Sequence, residues 1–344
     1  MDSLPLTGLR FRSLPLGNTY SPEFTSPAKF GGGAVPTVGK APLSADLEKR
    51  LDAIEALNDP GREISPLPGG LTNQNYRVTT RNASYVARVS SPQTELLSID
   101  RQSEYENSKA AAAADVAPEV VGYLPGQGLL VIRWIEGHTL TDADIGRPEM
   151  LARIANACQR LHAGPRFTGT FDMFSLQRSY LQLVQHRGFR LPDRYMEFTP
   201  HVNRIWQSLN ARPVATVPCH NDLLAANFID DGTKLWLIDY EYAGNNDPCF
   251  ELGNIWSEAN LDEASLIQLV TDYFGGHHPV KIARARLQAL MAKYGWMLWA
   301  SIQDSTSEMD FDFWQWGLEK YDRAIADFTD PHFADWLDVA SGST

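Results

Sequence analysis

Cysteine is scarce: Cys158, Cys219 and Cys249 are the only three in 344 residues. Their odd number and the lack of any Cys-x-x-Cys pair argue against a disulfide framework and against a structural zinc site. Long apolar runs are missing too. No stretch approaches the roughly 20 apolar residues that cross a bilayer. Arg10 and Arg12 interrupt the N-terminal apolarity a signal peptide needs, so a cytoplasmic location without a membrane partner is expected. Basic clusters are absent and the formal net charge is −12, which excludes grip on nucleic acid through its phosphates. An acidic balance suits a cationic ligand as well as plain solubility. No internal repeat is visible. Apolar residues make up 43% and charged residues 21% of the chain, which supports a buried core rather than a disordered polyelectrolyte.

The order of patterns along the chain suggests two lobes. Residues 1–43 are rich in Pro, Gly, Ser and Thr without a sustained period, and read as a flexible tail. Ser44 is a candidate N-cap for Leu47, Leu51, Ile54 and Leu57 at helical spacing, stopped by Asp59-Pro60-Gly61. Period-two runs at Gln74–Thr80 and Ser84–Ser90 predict a hairpin turning at Arg81-Asn82-Ala83. A helix follows over about 98–115, closed by Pro118. A second hairpin is expected over 120–124 and 129–135. From Glu149 the chain turns helical, interrupted by two short strands at about 227–230 and 234–239. The expected fold class is α+β. A β-rich N-terminal lobe (44–134) precedes a larger helical C-terminal lobe (135–344).

The chemistry concentrates in His220-Asn221-Asp222-Leu223-Leu224-Ala225-Ala226-Asn227, followed by Ile238-Asp239-Tyr240-Glu241. The first is His-x-Asp-x-x-x-x-Asn, the spacing of a protein-kinase catalytic loop, and the second lies where kinases carry Asp-Phe-Gly. Phosphoryl transfer needs one carboxylate to hold the acceptor hydroxyl and take its proton. It also needs hard oxygen ligands for Mg²⁺. Asp222 is thus the candidate base, with Asn227 and Asp239 on metal and Glu241 a further candidate ligand. His220 reads as a loop-holding residue through a backbone hydrogen bond. Gly69-Gly70-Leu71-Thr72-Asn73 between strands offers close backbone approach to the phosphates of ATP. Arg88 stands where kinases place the β3 lysine, and Glu104 or Glu106 on the next helix can orient it. Arg133, Trp134 and Ile135 fall in the hinge, whose backbone can meet adenine.

Taken together, Gly69 to Asn73, Arg88, the Glu104–Pro118 stretch, His220 to Phe228 and Ile238-Asp239-Tyr240-Glu241-Tyr242-Ala243-Gly244 resemble choline/ethanolamine kinases. These belong to the aminoglycoside-phosphotransferase-like group with a protein-kinase-like fold. The resemblance covers about residues 60–325. It implies an ATP- and Mg²⁺-dependent kinase acting on the hydroxyl of a small amino alcohol. Arginine in place of the lysine is usual in that branch, and the spacing to Pro118 favours Glu104 as its partner. One departure is visible: the family's Asp-Ile-Gly-Asn reads Glu251-Leu252-Gly253-Asn254 here.

A quaternary ammonium has no N–H to donate, so aromatic faces and a nearby carboxylate recognise it. Trp296 and Trp299, three residues apart, share a helical face. By resemblance Trp296, Trp299, Phe311 and Trp316 match aromatic positions of the choline pocket and Glu258 matches its acid. An ordinary aromatic core is the competing reading, to which Trp314 is assigned first. Choline is the expected substrate. Ethanolamine, thiamine and an aminoglycoside or amino sugar are the alternatives within the class. An inactive kinase fold serving as a binding protein is the alternative outside it, and the intact Asp222, Asn227 and Asp239 speak against it.

Overall fold

The computed structural model describes residues 44–90 and 96–343, so the expected tail lies outside the described residues. Helix α1 (Ala45–Asp52) opens the body, and a turn of 3-10 helix over Glu55–Leu57 carries its apolar stripe onward. Leu47, Leu51, Ile54 and Leu57 are all buried, as their spacing requires. Strands β1 (Glu63–Leu67), β2 (Asn73–Thr79) and β3 (Ser84–Ser90) follow, then helix α2 (Arg101–Ala113) and strands β4 (Val120–Leu124) and β5 (Leu129–Arg133). The five strands form one antiparallel sheet in the order β1-β2-β3-β5-β4. In its central register Arg88 of β3 stands opposite Leu130 of β5.

The remainder is mostly helical. Strand β6 (His138–Thr139) leads to helices α3 (Asp142–Ile145), α4 (Pro148–His162), α5 (Met173–Arg187) and α6 (Thr199–Ala211). Four short strands come next: β7 (Val217–Cys219), β8 (Phe228–Asp230), β9 (Leu235–Leu237) and β10 (Gly244–Asn246). Helices α7 (Pro248–Glu258), α8 (Glu263–Phe274), α9 (Pro279–Thr306), α10 (Phe313–Phe328) and α11 (Phe333–Ser341) complete the chain. β8 pairs with β9 and with β6, and β7 pairs with β10.

The sequence reading differs from these boundaries for local reasons. The helix expected over 98–115 is cut at both ends, because Ser98 (φ 56°) and Asp115 (φ 57°) take left-handed backbone that a helix cannot hold. The strand expected to run to residue 239 stops at Leu237, and Asp239 has φ 77°. The strand expected to reach residue 135 ends at Arg133. Strands β1, β6, β7 and β10 were not anticipated. β6, β7 and β10 span three residues or fewer, too short for a period to register. β1 spans Glu63–Leu67, where Pro66 masks the pattern.

Two apolar clusters fill the helical part, and α9 runs between them. From Ile282 to Gln303 all of its residues are buried, the charged ones through partners. Arg284 pairs with Asp247 and Lys293 with Asp327. Helix α7 approaches α9 closely because Gly253 has no side chain. A Cβ there would meet the carbonyl oxygen of Ala285 well inside contact distance. Gly253→Ala should therefore force α7 and α9 apart and destabilise the fold by about 1–3 kcal/mol, the range of overpacked cores. Urea unfolding followed by tryptophan fluorescence measures this. An unchanged midpoint would show that the two helices yield freely.

Candidate active site

The loop between β7 and β8 carries the motif residues, and its backbone is held from three directions. Glu251 of α7, fully buried, accepts the backbone N–H of His220 at 2.9 Å and of Asn221 at 2.7 Å. Burial alone would favour the neutral acid. His162 and the His220 backbone outweigh it and keep the Glu251 carboxyl below its ordinary value. Asn221 adopts φ 68°, a conformation Asn tolerates. Its amide donates to the carbonyls of Cys219 (3.1 Å), Tyr242 (3.0 Å) and Gly244 (3.3 Å). His220 takes the third position. Its Nδ1 accepts the Asp222 N–H at 3.3 Å, so Nε2 carries the proton and donates to the Ile238 carbonyl at 2.8 Å. Burial depresses the pKa of this imidazole, which keeps it neutral. One histidine thus ties the loop of Asp222 to the strand end that delivers Asp239.

Asp222 is half-buried. Its carboxyl is pushed well above the usual carboxylate range, first by burial and then by the charges of Asp239, Glu241 and Glu258, while Lys320 pulls it back. Asn227 donates its amide N–H to the Asp222 carbonyl at 2.7 Å, which leaves its Oδ1 as a hard oxygen donor. The β8–β9 hairpin then returns Asp239 to the same cleft. Asn227, Asp239, Arg88, Gly69, Gly70, Arg133, Trp134 and Ile135 all line one cavity of about 320 Å³. Its apolar walls come from Leu67, Val86, Leu130 and Ile132 on the sheet and from Ile229 and Ile238 below. Gly69 (φ 94°) and Gly70 (φ 88°) form its lip in backbone conformations that side chains disfavour. Arg133 lies at the mouth, held by Glu119 at 2.8 Å.

Arg88 is 8% exposed and meets three carboxylates: Glu104 at 3.2 Å, Asp239 at 2.5 Å and Glu241 at 2.8 Å. Burial opposes its charge, but Asp239, Glu104 and Glu241 together raise its pKa and keep it cationic. Glu104, not Glu106, is therefore the helix partner. Glu106 sits at the surface against Lys109. Arg101, which the sequence reading passed over, joins the same knot, donating to Glu104 at 2.6 Å and to Asn73 Oδ1 at 3.0 Å.

Glu241, expected on metal, already has partners: its carboxylate accepts from Thr72 (3.0 Å), Asn73 (3.0 Å), Arg88 (2.8 Å) and Arg101 (3.3 Å). These donors bind the glycine loop to the segment after β9. Thr72 and Asn73 accordingly point their polar groups at Glu241 rather than lining the cleft.

The aromatic residues divide into two linked groups. Trp299 packs on Trp316 (5.4 Å between ring centroids) and Phe313 (5.7 Å), and Phe311 on Phe313 (4.9 Å). Trp296 meets Tyr242 at 5.0 Å and Phe171 at 6.4 Å. Trp296 and Trp299 are 4% and 6% exposed, whereas Phe311 is 40% exposed. Both buried indole N–H groups lack an acceptor among the described residues. Trp314 lies apart under Arg190 at 3.9 Å. Glu258, expected as the acid of the acceptor pocket, is ion-paired to Lys320. Arg101, Glu251 and Lys320 are the residues that sequence reasoning missed. Only Glu251 had a visible signal, as the lengthened acid of the Glu-Leu-Gly-Asn stretch.

Comparison with known proteins identifies the family. The profile of the phosphotransferase enzyme family APH matches residues 63–290. The crystal structure of a choline/ethanolamine kinase family protein from Mesorhizobium loti superposes with a TM-score of 0.76 at 29% identity, covering 86% of this chain and 98% of that one. Choline kinase LicA from Streptococcus pneumoniae gives 0.70 at 26% identity, covering 82% and 98%. Human ethanolamine kinase 2 is 28% identical over 273 residues, 69% of this chain and 68% of its own length. The two lobes thus form a protein-kinase-like fold, and the chain belongs to the phosphotransferase enzyme family as a phosphotransferase acting on an alcohol group.

Proposed function

We propose that this protein transfers the γ-phosphoryl group of ATP to the hydroxyl of a small amino alcohol, with choline as the preferred acceptor. The observation that carries the reading is that Asn227, Asp239 and Arg88 line one cleft, with Glu104 paired to Arg88 behind it and Asn227 hydrogen-bonded to the backbone carbonyl of Asp222. The apolar slot between Val86 and Ile238 suits a purine base, and the backbone of Trp134 and Ile135 stands at its edge. Gly69 and Gly70 bring backbone N–H groups toward the phosphates. Arg88 is fixed and charged before nucleotide arrives, so it pairs with phosphate oxygens at little ordering cost.

The donor set fits Mg²⁺: the Asn227 amide oxygen and the Asp239 carboxylate are hard oxygen ligands beside each other in the cleft. When bound, the ion neutralises charge developing on the phosphates. Asp222 holds the acceptor hydroxyl and accepts its proton. Its raised pKa makes it a better base than an ordinary aspartate. His220, Asn221 and Glu251 keep that carboxylate in place.

For the acceptor, Trp296, Trp299, Phe311 and Trp316 offer aromatic faces, and Glu258 stands next to Trp316 through Lys320. Aromatic faces favour a cation without N–H groups, because a primary ammonium loses more hydration than they return. The similarity to human ethanolamine kinase 2 favours ethanolamine instead. An ADP-release assay over choline, ethanolamine, thiamine and kanamycin decides the matter. Choline should give the highest kcat/KM. Ethanolamine, thiamine or kanamycin as the best acceptor would overturn the substrate assignment.

Three variants test the roles. Asp222→Asn keeps the shape but cannot take the proton, so kcat should fall about 10²–10⁴-fold with the Kd for ATP nearly unchanged. Near-normal turnover would remove Asp222 from the chemistry. Asp239→Ala should abolish turnover at ordinary Mg²⁺. Glu241→Ala should retain turnover with a raised KM for ATP, since it loosens the glycine loop and leaves the metal ligands alone. The reverse pattern would return Glu241 to the metal.

A further inference from the structure

Lys320 of α10 is 5% exposed, and its ammonium occupies the place where a substrate cation is expected. It donates to Glu258 Oε2 and stands 4.2 Å from the centroid of the Trp316 ring. The Trp316 ring in turn packs on Trp299. The side chains of the Lys320–Glu258 pair are 7% and 8% exposed, so water screens them little. The pair is also close to the chemistry. Both charges act on Asp222, Glu258 raising and Lys320 lowering its pKa, and both act on Asp142 at the start of α3 in the same senses.

Two of the groups proposed to hold the acceptor's cation, the Glu258 carboxylate and the Trp316 face, therefore already carry a cation. Glu258 Oε1 is different: it is buried and has no hydrogen-bond partner among the described residues. A second cation can reach the same carboxylate only from that side, and there it meets repulsion from the Lys320 ammonium in a poorly screened site. Given the amino-alcohol reading above, we propose that Lys320 is a specificity-determining residue, an internal counter-ion that competes with the acceptor's ammonium for Glu258 and Trp316. The competition weakens ground-state binding of cationic alcohols and leaves binding of neutral ones untouched. Lys320 is not a catalytic residue on this account, since it acts through Glu258.

Lys320→Met keeps length and apolar bulk against Trp316 and removes the charge. The KM for choline should fall about fivefold or more, as expected when a cation–π face and a carboxylate are both released. The KM for 3,3-dimethylbutan-1-ol, the uncharged carbon isostere of choline, should move less than about twofold by the same reasoning. Choline should also raise the melting temperature of this variant more than that of the wild type, because it then fills an otherwise unpaired buried carboxylate. Lys320→Arg covers the case in which Lys320→Met does not fold. A guanidinium can take both Glu258 oxygens, so this variant should raise the KM for choline and again spare the isostere. A KM for choline that stays put or moves the opposite way in either variant, or moves together with that of the isostere, overturns the proposal. Calorimetric titration with tetramethylammonium keeps the test separate from the substrate assignment, because it requires no turnover. If choline is not phosphorylated, tighter tetramethylammonium binding to Lys320→Met still supports the competition. Equal or absent binding in both proteins ends it.

Discussion

The site depends on one buried carboxylate. Glu251 has no exposed surface and accepts two consecutive backbone N–H groups, those of His220 and Asn221, from the loop that carries Asp222. Buried backbone donors cannot be left unpaired without a cost of about 1–3 kcal/mol each, so the loop has one low-energy path past α7. The left-handed Asn221 and the neutral His220 then fix the rest. Asn221 binds the loop to the chain after β9, and His220 binds it to the carbonyl just before Asp239. The position of Asp222 relative to Asp239 is thereby set by packing far from any ligand. A fully buried acid replaced by an isosteric amide would lose one of its acceptors, which is why the position calls for a carboxylate rather than any polar group.

A second constraint joins the sheet to this loop region. Arg88 and Arg101 face Glu104, Asp239 and Glu241 in a nearly dry cluster, and Thr72 and Asn73 of the glycine loop attach to the same Glu241. Such a cluster gives little net stability, since desolvation offsets much of the attraction. What it does supply is registry. The glycine lip, Arg88 and the segment bearing Asp239 are tied into one cluster. In the proposed reaction a phosphate group entering beside Arg88 would take over part of this pairing, which links nucleotide binding to the geometry of Asp239.

The parts of this architecture that were legible in the sequence are those written in local pattern. Period-two runs gave β2 and β3, helical stripes gave α1 and α4, and two of the residues singled out by spacing, Asn227 and Asp239, line one cavity. The helix partner of Arg88 could be narrowed by spacing, yet it took the sheet register to bring Glu104 within 3.2 Å. What could not be read is long-range pairing. Glu241 looked like a second metal ligand because it lies two residues from Asp239. Its commitment to Thr72 and Asn73, 169 and 168 residues away, has no local signature. Lys320 is the same case: nothing around it in α10 announces that its ammonium rests on Glu258, 62 residues earlier. Short strands such as β7 and β10 escaped because three residues carry no period, although their pairing is what shapes the loop between them.

In the proposed reaction Glu251 holds the carboxylate of Asp222 in its working position through the backbone of His220 and Asn221. The direct measurement is the single-turnover rate of phosphoryl transfer to choline in Glu251→Ala, alongside its Kd for ATP. A misplacement of about 1 Å in a reacting group costs on the order of 10²-fold. The rate should fall by about that factor or more while the Kd for ATP, set by the cleft walls and Arg88, changes little. A Glu251→Ala protein that folds and transfers phosphate at the wild-type rate would contradict it.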